Sequence, residues 1–107
     1  MWKMYVLSCK GGSYYCGITK DLDRRIKEHN ESPKKGAKYT RSRRPVVLFY
    51  SEDHPDRSSA AKAEARFKKL TRRQKLKYMA DQVTIRHEKE MNDYLKKLQA
   101  IDKSLES

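Results

Sequence analysis

The stretch Tyr15-Cys16-Gly17-Ile18-Thr19-Lys20-Asp21-Leu22-Asp23-Arg24-Arg25-Ile26-Lys27-Glu28-His29 changes its periodicity halfway along. It begins as a strand, turns at Thr19–Asp21 and continues as a helix. Leu22, Arg25, Ile26 and His29 fall at i, i+3, i+4 and i+7, the spacing of one core-facing stripe. Two members of that stripe are polar. Arg24, Lys27 and Glu28 are left to face solvent, and Asp21 and Asp23 lie where the positive helix N-terminus favours them. An inward arginine or histidine costs stability unless something satisfies it. The plain reading leaves Arg25 at the stripe edge with its head in water; the alternative gives both polar residues a task inside.

Upstream, Met4–Cys9 alternates and is rich in β-formers, Lys10-Gly11-Gly12 is a turn, and Ser13–Thr19 is the second strand of a hairpin. Its register decides whether two tyrosines meet. With Cys9 opposite Ser13 across a three-residue loop, Leu7 faces Tyr15 and Tyr5 is a diagonal neighbour on the same face. A two-residue Gly-Gly turn would put them on opposite faces. Strand tyrosines are ordinarily packing residues. Gly17, two beyond Tyr15, leaves a bare patch open to close approach by a ligand backbone.

Downstream, residues 33–44 carry six positive charges and no negative one, with Tyr39 in their midst. Basic residues interleaved with an aromatic suit phosphate contacts plus a base or sugar stack, although a solvated loop would look the same. Pro45 ends the loop, Val46–Tyr50 reads as a short buried strand, and Glu52–Ser58 as a polar connection. A helix is expected from about Ser59 to Leu70, with the stripe Ala60, Ala63, Glu64, Phe67 and Leu70. Glu64 interrupts an apolar face, so a cation or a metal ion is expected beside it; Lys68, four residues on, is a local candidate for a salt bridge. Gln82–Thr84 breaks the pattern, and Ile85–Leu105 reads as a longer helix. Its Met91, Tyr94, Leu98, Ile101 and Leu105 are spaced 3-4-3-4. That seam suits packing back on the domain or, failing that, a homodimer or partner protein held through residues 85–105.

The chain has 107 residues, 36% hydrophobic and 37% charged, with a net charge of +12. Residues 1–82 hold 21 Lys+Arg against 9 Asp+Glu, while residues 83–107 hold 5 of each, so the whole excess lies in the first part. A polyanion is the natural partner, nucleic acid before an anionic membrane. No signal peptide or long apolar run is visible, so a soluble, cytoplasmic protein is expected. Cys9 and Cys16 have neither CxxC spacing nor a histidine cluster; they are expected as small packed residues, without zinc or a disulfide.

Together these features resemble the GIY-YIG nuclease family, in particular its small single-domain members. The likeness covers about residues 3–80 and leaves roughly the last 25 outside. Met4-Tyr5-Val6-Leu7 stands for the first half-motif, with Tyr5 matching its tyrosine, and Tyr15-Cys16-Gly17 for the second. Arg25 and His29 match the helix arginine and histidine, and Glu64 the single metal-binding glutamate. Gly36-Ala37-Lys38-Tyr39-Thr40, followed by Pro45, also looks like the small-member pattern. Two departures stand out: the first half-motif lacks its glycine, and Cys16 replaces isoleucine or valine. Neither position supplies a catalytic side chain.

The resemblance implies an α+β fold, a small three-stranded antiparallel sheet flanked by helices, here with an additional C-terminal helix. Residues 1–82 would form the nuclease domain and 83–107 a helical extension for packing or self-association. It implies hydrolysis of a DNA phosphodiester with one Mg²⁺ or Mn²⁺ held by Glu64. Arg25 would neutralise charge on the phosphoryl oxygens, Tyr5 would position phosphate or water, and Tyr15 would orient or deprotonate the water. His29 would share or replace Tyr15 as base. The expected nucleic-acid surface is Lys34, Lys35, Lys38, Tyr39, Arg41, Arg43, Arg44, Lys68, Arg72 and Arg73. DNA is the expected partner, with RNA an open alternative. Without a second recognition domain, a structure-directed role in DNA repair, recombination or processing is expected. A non-catalytic nucleic-acid-binding module and a partner-dependent nuclease subunit are the rival readings.

Overall fold

β1 (Trp2–Ser8) is the middle strand of a three-stranded antiparallel sheet, with β2 (Tyr14–Thr19) on one side and β3 (Val47–His54) on the other. The computed structural model describes the backbone of residues 1–106 and the side chains of residues 1–100. It falls into two units, Met1–Leu70 and the stretch from Thr71 onward. The first holds the sheet together with α1 (Leu22–Glu31), the single turn α2 (Lys38–Arg41) and α3 (Arg57–Lys68). This is the α+β architecture expected from the sequence.

The hairpin takes the register that unites the tyrosines. Cys9 N donates to Ser13 O at 2.9 Å and Gly12 N to Cys9 O at 3.0 Å, closing a three-residue connection. Gly11 and Gly12 sit at φ 94° and 88°, where a side chain would be strained. Leu7 therefore pairs with Tyr15 and Tyr5 with Gly17. On this face Tyr5, Leu7, Cys9 and Val46 are buried, and Tyr15, Leu22 and Ile26 pack against them. Met4, Val6, Cys16 and Tyr50 are the buried members of the alternate set. α3 lies along all three strands and buries Ala60 and Phe67.

Three local expectations are corrected. The third strand is not buried along Val46–Tyr50: Val47, Leu48 and Phe49 are 60%, 44% and 50% exposed. β3 is an edge strand, and the register shift opposite Val6 and Leu7 leaves Phe49 without a paired residue, so the apolar run bulges outward. The strand also continues into the presumed connection, through Glu52 and His54. There the main chain pairs with Met4 and Trp2, and Glu52 accepts from the Tyr50 hydroxyl at 2.8 Å and meets His54 Nε2 at 2.6 Å. In the basic loop, Lys38–Arg41 forms the short helix α2.

The second unit is one helix, α4 (Arg72–Glu106), with no break at Gln82–Thr84. Val83, Thr84 and Ile85 are weak helix formers, but each costs only a few tenths of a kcal/mol, and no proline or glycine follows residue 70. Thr84 Oγ1 bonds back to Ala80 O at 3.0 Å instead of opening the helix. Its start is a capping box: Thr71 N donates to Gln74 Oε1 at 2.9 Å and Gln74 N to Thr71 Oγ1 at 3.2 Å. Met91, Tyr94 and Leu98 of the expected seam are exposed; Ile101 and Leu105 lie outside the residues whose side chains are described. Among the described residues no helix is long and apolar enough to cross a membrane.

Candidate active site

Asp21 starts α1 by accepting from Arg24 N at 3.1 Å, and this cap sets the phase of the helix. Leu22 and Ile26 then pack on the sheet, and Arg25 and His29 follow them inward. His29 is fully buried. Its Nε2 lies 2.8 Å from the Tyr5 hydroxyl and its Nδ1 2.8 Å from Thr40 Oγ1. Thr40 Oγ1 donates its own proton to Ala37 O at 2.9 Å. Toward His29 it is therefore the acceptor, which assigns the ring proton to Nδ1 and makes Nε2 the acceptor of the Tyr5 proton. The Ala37 N–H, 3.5 Å from Nδ1, is too distant to reverse that order.

Burial and the neighbouring Arg25 charge push His29 down to about 4, so the imidazole is neutral at physiological pH. Burial pushes the Tyr5 phenol far above its ordinary value, with Arg25 beside its hydroxyl opposing part of the rise. Tyr5 is thus a neutral donor to His29. It is a poor resting base, and so is His29, whose low basicity weakens the expectation that it replaces Tyr15.

Gly17 makes the Tyr5 position possible. A Cβ there would come within 2.5 Å of the Tyr5 hydroxyl oxygen. The bare patch predicted at Gly17 is accordingly filled by the protein's own tyrosine, not left for a ligand. Tyr15 lies next to this pair, its ring centroid 6.4 Å from Tyr5 and 5.0 Å from His29. Tyr39 stacks on Tyr15 at 6.1 Å, and the Arg43 guanidinium covers Tyr39 at 3.8 Å. Arg25 Nη1 donates to Lys35 O at 2.5 Å and meets Glu28 Oε1 at 3.4 Å, and the guanidinium also bonds the Tyr5 hydroxyl, so only part of its five-donor fork stays open to a ligand.

Tyr5, Tyr15, Arg25, His29 and Tyr39 thus form one contiguous group. Glu64 belongs to α3. Its side chain is 25% exposed and its carboxylate meets Lys68 Nζ at 3.2 Å, and among the described residues it is not a hydrogen-bond partner of Tyr5, Tyr15, Arg25 or His29. The ten surface candidates also divide. Arg44 is occupied structurally: Nε donates to His29 O at 2.6 Å and Nη2 to Ser32 O at 2.5 Å, capping the end of α1. Arg41 reaches Pro33 O at 3.0 Å, and Arg43 reaches Tyr39 O at 2.9 Å. Lys34, Lys35, Lys38, Lys68, Arg72 and Arg73 are exposed.

Sequence reasoning missed two members. Thr40 is fully buried and sets the His29 tautomer; only its hydroxyl within the quoted Tyr39-Thr40 pair hinted at this. Glu28, assigned to solvent, has a side chain only 15% exposed beside Arg25; the i,i+3 spacing of the two was the available signal.

Residues 1–77 match the GIY-YIG catalytic domain. A UPF0213 protein of Streptococcus sanguinis (strain SK36) is 53% identical over 78 residues, covering 73% of this chain and 87% of that one. The UPF0213 protein XAC3202 of Xanthomonas axonopodis pv. citri (strain 306) is 44% identical over 92 residues, 86% of this chain and 88% of its own length. Among solved structures, the solution NMR structure of the protein EF2693 from E. faecalis is similar with a TM-score of 0.53 and 49% identity, covering 74% of this chain and 82% of that one. With a hairpin that brings Tyr5 over Gly17, an α1 that carries Arg25 and His29 to it, and a match over most of its length, this chain belongs to the GIY-YIG family.

Proposed function

We propose that this protein is a metal-dependent DNA endonuclease, directed by DNA structure more than by sequence and acting in cytoplasmic DNA repair, recombination or processing. Residues 1–82 are its nuclease domain, and 83–107 an extension. The observation that carries this reading is the ordered line Arg25–Tyr5–His29–Thr40, in which a buried neutral network holds a guanidinium with donors to spare. A network of that kind preorganises charge for a developing oxyanion.

Arg25 neutralises charge on the phosphoryl oxygens and orients them through its planar fork. Tyr5, its proton committed to His29, offers oxygen lone pairs to position a water or a phosphate contact. Tyr15 orients the attacking water and, in its phenolate form, takes the water's proton. In-line attack forms the new P–O bond as the P–O3′ bond breaks, and the 3′ oxygen takes a proton from solvent, giving 5′-phosphate and 3′-hydroxyl ends. The Glu64 carboxylate is a hard, partly exposed oxygen donor of the type Mg²⁺ or Mn²⁺ accepts, the remaining positions falling to water and phosphate oxygens. Such an ion supplies charge stabilisation at the scissile phosphate and leaving oxygen. Lys34, Lys35, Lys38, Tyr39, Arg41, Arg43 and Lys68 are the proposed DNA contacts of the first unit, Arg72 and Arg73 those of α4, and RNA is the alternative polyanion.

One observation favours a non-catalytic binding module: Glu64 already has a partner in Lys68. The exposed Met91, Tyr94 and Leu98 likewise favour a homodimer or partner-dependent subunit formed through residues 85–105. The deciding experiment is cleavage of end-labelled single-stranded, duplex, flapped and four-way DNA with Mg²⁺, Mn²⁺ or EDTA, beside Glu64→Ala. Metal-dependent cutting that Glu64→Ala abolishes, with DNA binding retained, is the expected result. Binding to all four without cutting by the wild type overturns the enzyme reading.

A further inference from the structure

Arg25 also borders an open cleft of 590 Å³ on its other side, within the roughly 300–1,000 Å³ range of small-ligand sites. Trp2 and Ile18 supply its apolar wall, and Lys20, Arg24, Arg25 and Arg57 its charge. Lys20 Nζ and the Arg57 guanidinium stand 5.6 and 5.7 Å from the Trp2 ring centroid. The two acids at the cleft are already committed. Asp21 accepts from Arg24 N at 3.1 Å as the α1 cap, and Glu28 meets Arg25 at 3.4 Å. Among the described residues Lys20, Arg24 and Arg57 have no carboxylate partner. Unbalanced positive charge therefore surrounds a partly exposed indole, in a cleft that shares Arg25 with the candidate active site.

We propose that this cleft holds one unpaired nucleotide adjoining the scissile phosphodiester, its base against Trp2 and its phosphate on Lys20, Arg24 and Arg57. The assignment rests on the nuclease reading above and narrows its substrate class to DNA with a single-stranded segment: a flap, a frayed end or a free strand. Inside a duplex both faces of a base are covered by its neighbours, so an indole stacks on a base at a strand end or where the base has left the helical stack. Aromatic rings interleaved with cations are how single strands are held without regard to sequence. Cation contacts to a ring at an exposed site are weak, so Lys20 and Arg57 can exchange the ring for a phosphate at little cost. Arg25 lies in both walls, which makes the nucleotide in the cleft a neighbour of the bond to be cut.

Trp2 is the single tryptophan of the chain, so its emission reports on the cleft alone. In EDTA, the protein is titrated with a short single strand and with a blunt duplex, following tryptophan emission, and in parallel with labelled strands by anisotropy. The single strand is expected to quench Trp2 in step with the anisotropy rise, and the duplex to bind with Trp2 nearly unchanged. Trp2→Ala should weaken single-strand binding by about five- to a hundredfold, the range for losing one base–aromatic stack. Arg57→Gln, at an exposed position, should weaken single-strand binding more than duplex binding. Binding seen by anisotropy with Trp2 emission unmoved overturns the cleft and leaves the nuclease reading standing. Equal quenching by both DNAs overturns the preference for an unpaired nucleotide, and no binding to either removes both proposals.

Discussion

α1 and α3 each carry polar residues on an otherwise apolar stripe, and the two helices resolve that problem in opposite ways. On α1, His29 is fully buried and its partners come from far along the chain: Tyr5 on β1 and Thr40 on α2. On α3, Glu64 keeps a quarter of its side chain in solvent and is met by Lys68 from the next turn, itself 53% exposed. A network closed by three elements holds its members in one geometry, because leaving any of its buried groups unpaired costs about 1–3 kcal/mol. A local pair at the surface is worth only about 0.3–0.5 kcal/mol. α1 is thus built to stay as it is, whereas α3 offers a carboxylate that a ligand can take over cheaply.

The largest test of that contrast is Arg25→Ala. Loss of one preorganised charge donor costs about 10²–10³ in turnover, or roughly 2.7–4 kcal/mol of barrier. Single-turnover cleavage should show this loss in the chemical step. Near-normal turnover would reduce Arg25 to a tether for the Lys35 carbonyl. Next in size is the pH dependence conferred by His29. The unfolded chain binds a proton there below about 6.5, but the folded chain only below about 4. Stability should therefore fall as pH drops through that window, by roughly 3 kcal/mol for this group. Urea denaturation of wild type and His29→Gln at several pH values isolates the contribution as the difference in slope, and an NMR titration of the ring reads the same shift directly.

Gly17→Ala breaks α1's network from the other end. The added Cβ would sit 2.5 Å from the Tyr5 hydroxyl oxygen and 2.7 Å from its ring carbon, so the ring must move off His29. Overpacking of this kind costs about 1–3 kcal/mol. Denaturation should show that loss together with reduced cleavage. A fully stable, active variant would mean that Tyr5 has room to shift without consequence.

How far the sequence foretold this contrast follows from the range of the interactions involved. The stripe Leu22, Arg25, Ile26 and His29 and the pair Glu64–Lys68 were legible because helical periodicity fixes both. Thr40 and the Lys35 carbonyl were not, since their positions depend on a loop whose path no periodicity encodes. Arg44 was grouped with the basic surface for the same reason: counting charges does not distinguish a guanidinium in solvent from one capping the end of α1. The exposed edge at Val47–Phe49 was misjudged because an apolar run does not announce which strand becomes central. The start of α4 was readable in Thr71-x-x-Gln74, a capping box that the break expected at Gln82–Thr84 obscured.

The smallest effect is the most discriminating for α3. Lys68→Met should change stability by less than about 0.5 kcal/mol, because an exposed i,i+4 pair contributes no more than that. If Glu64 is the ion's carboxylate, Lys68 competes with the ion for it, and removing the ammonium should lower the Mn²⁺ concentration for half-maximal cleavage. Half a kcal/mol corresponds to about a twofold change, resolvable in a metal titration at saturating DNA. Saturation matters because Lys68 is also a proposed DNA contact, and its loss would otherwise be read as weaker binding. A stability loss above about 1 kcal/mol with no change in the metal midpoint would place Glu64–Lys68 beside the α1 network as a structural pair, and the carboxylate for the ion would then have to come from elsewhere in the chain.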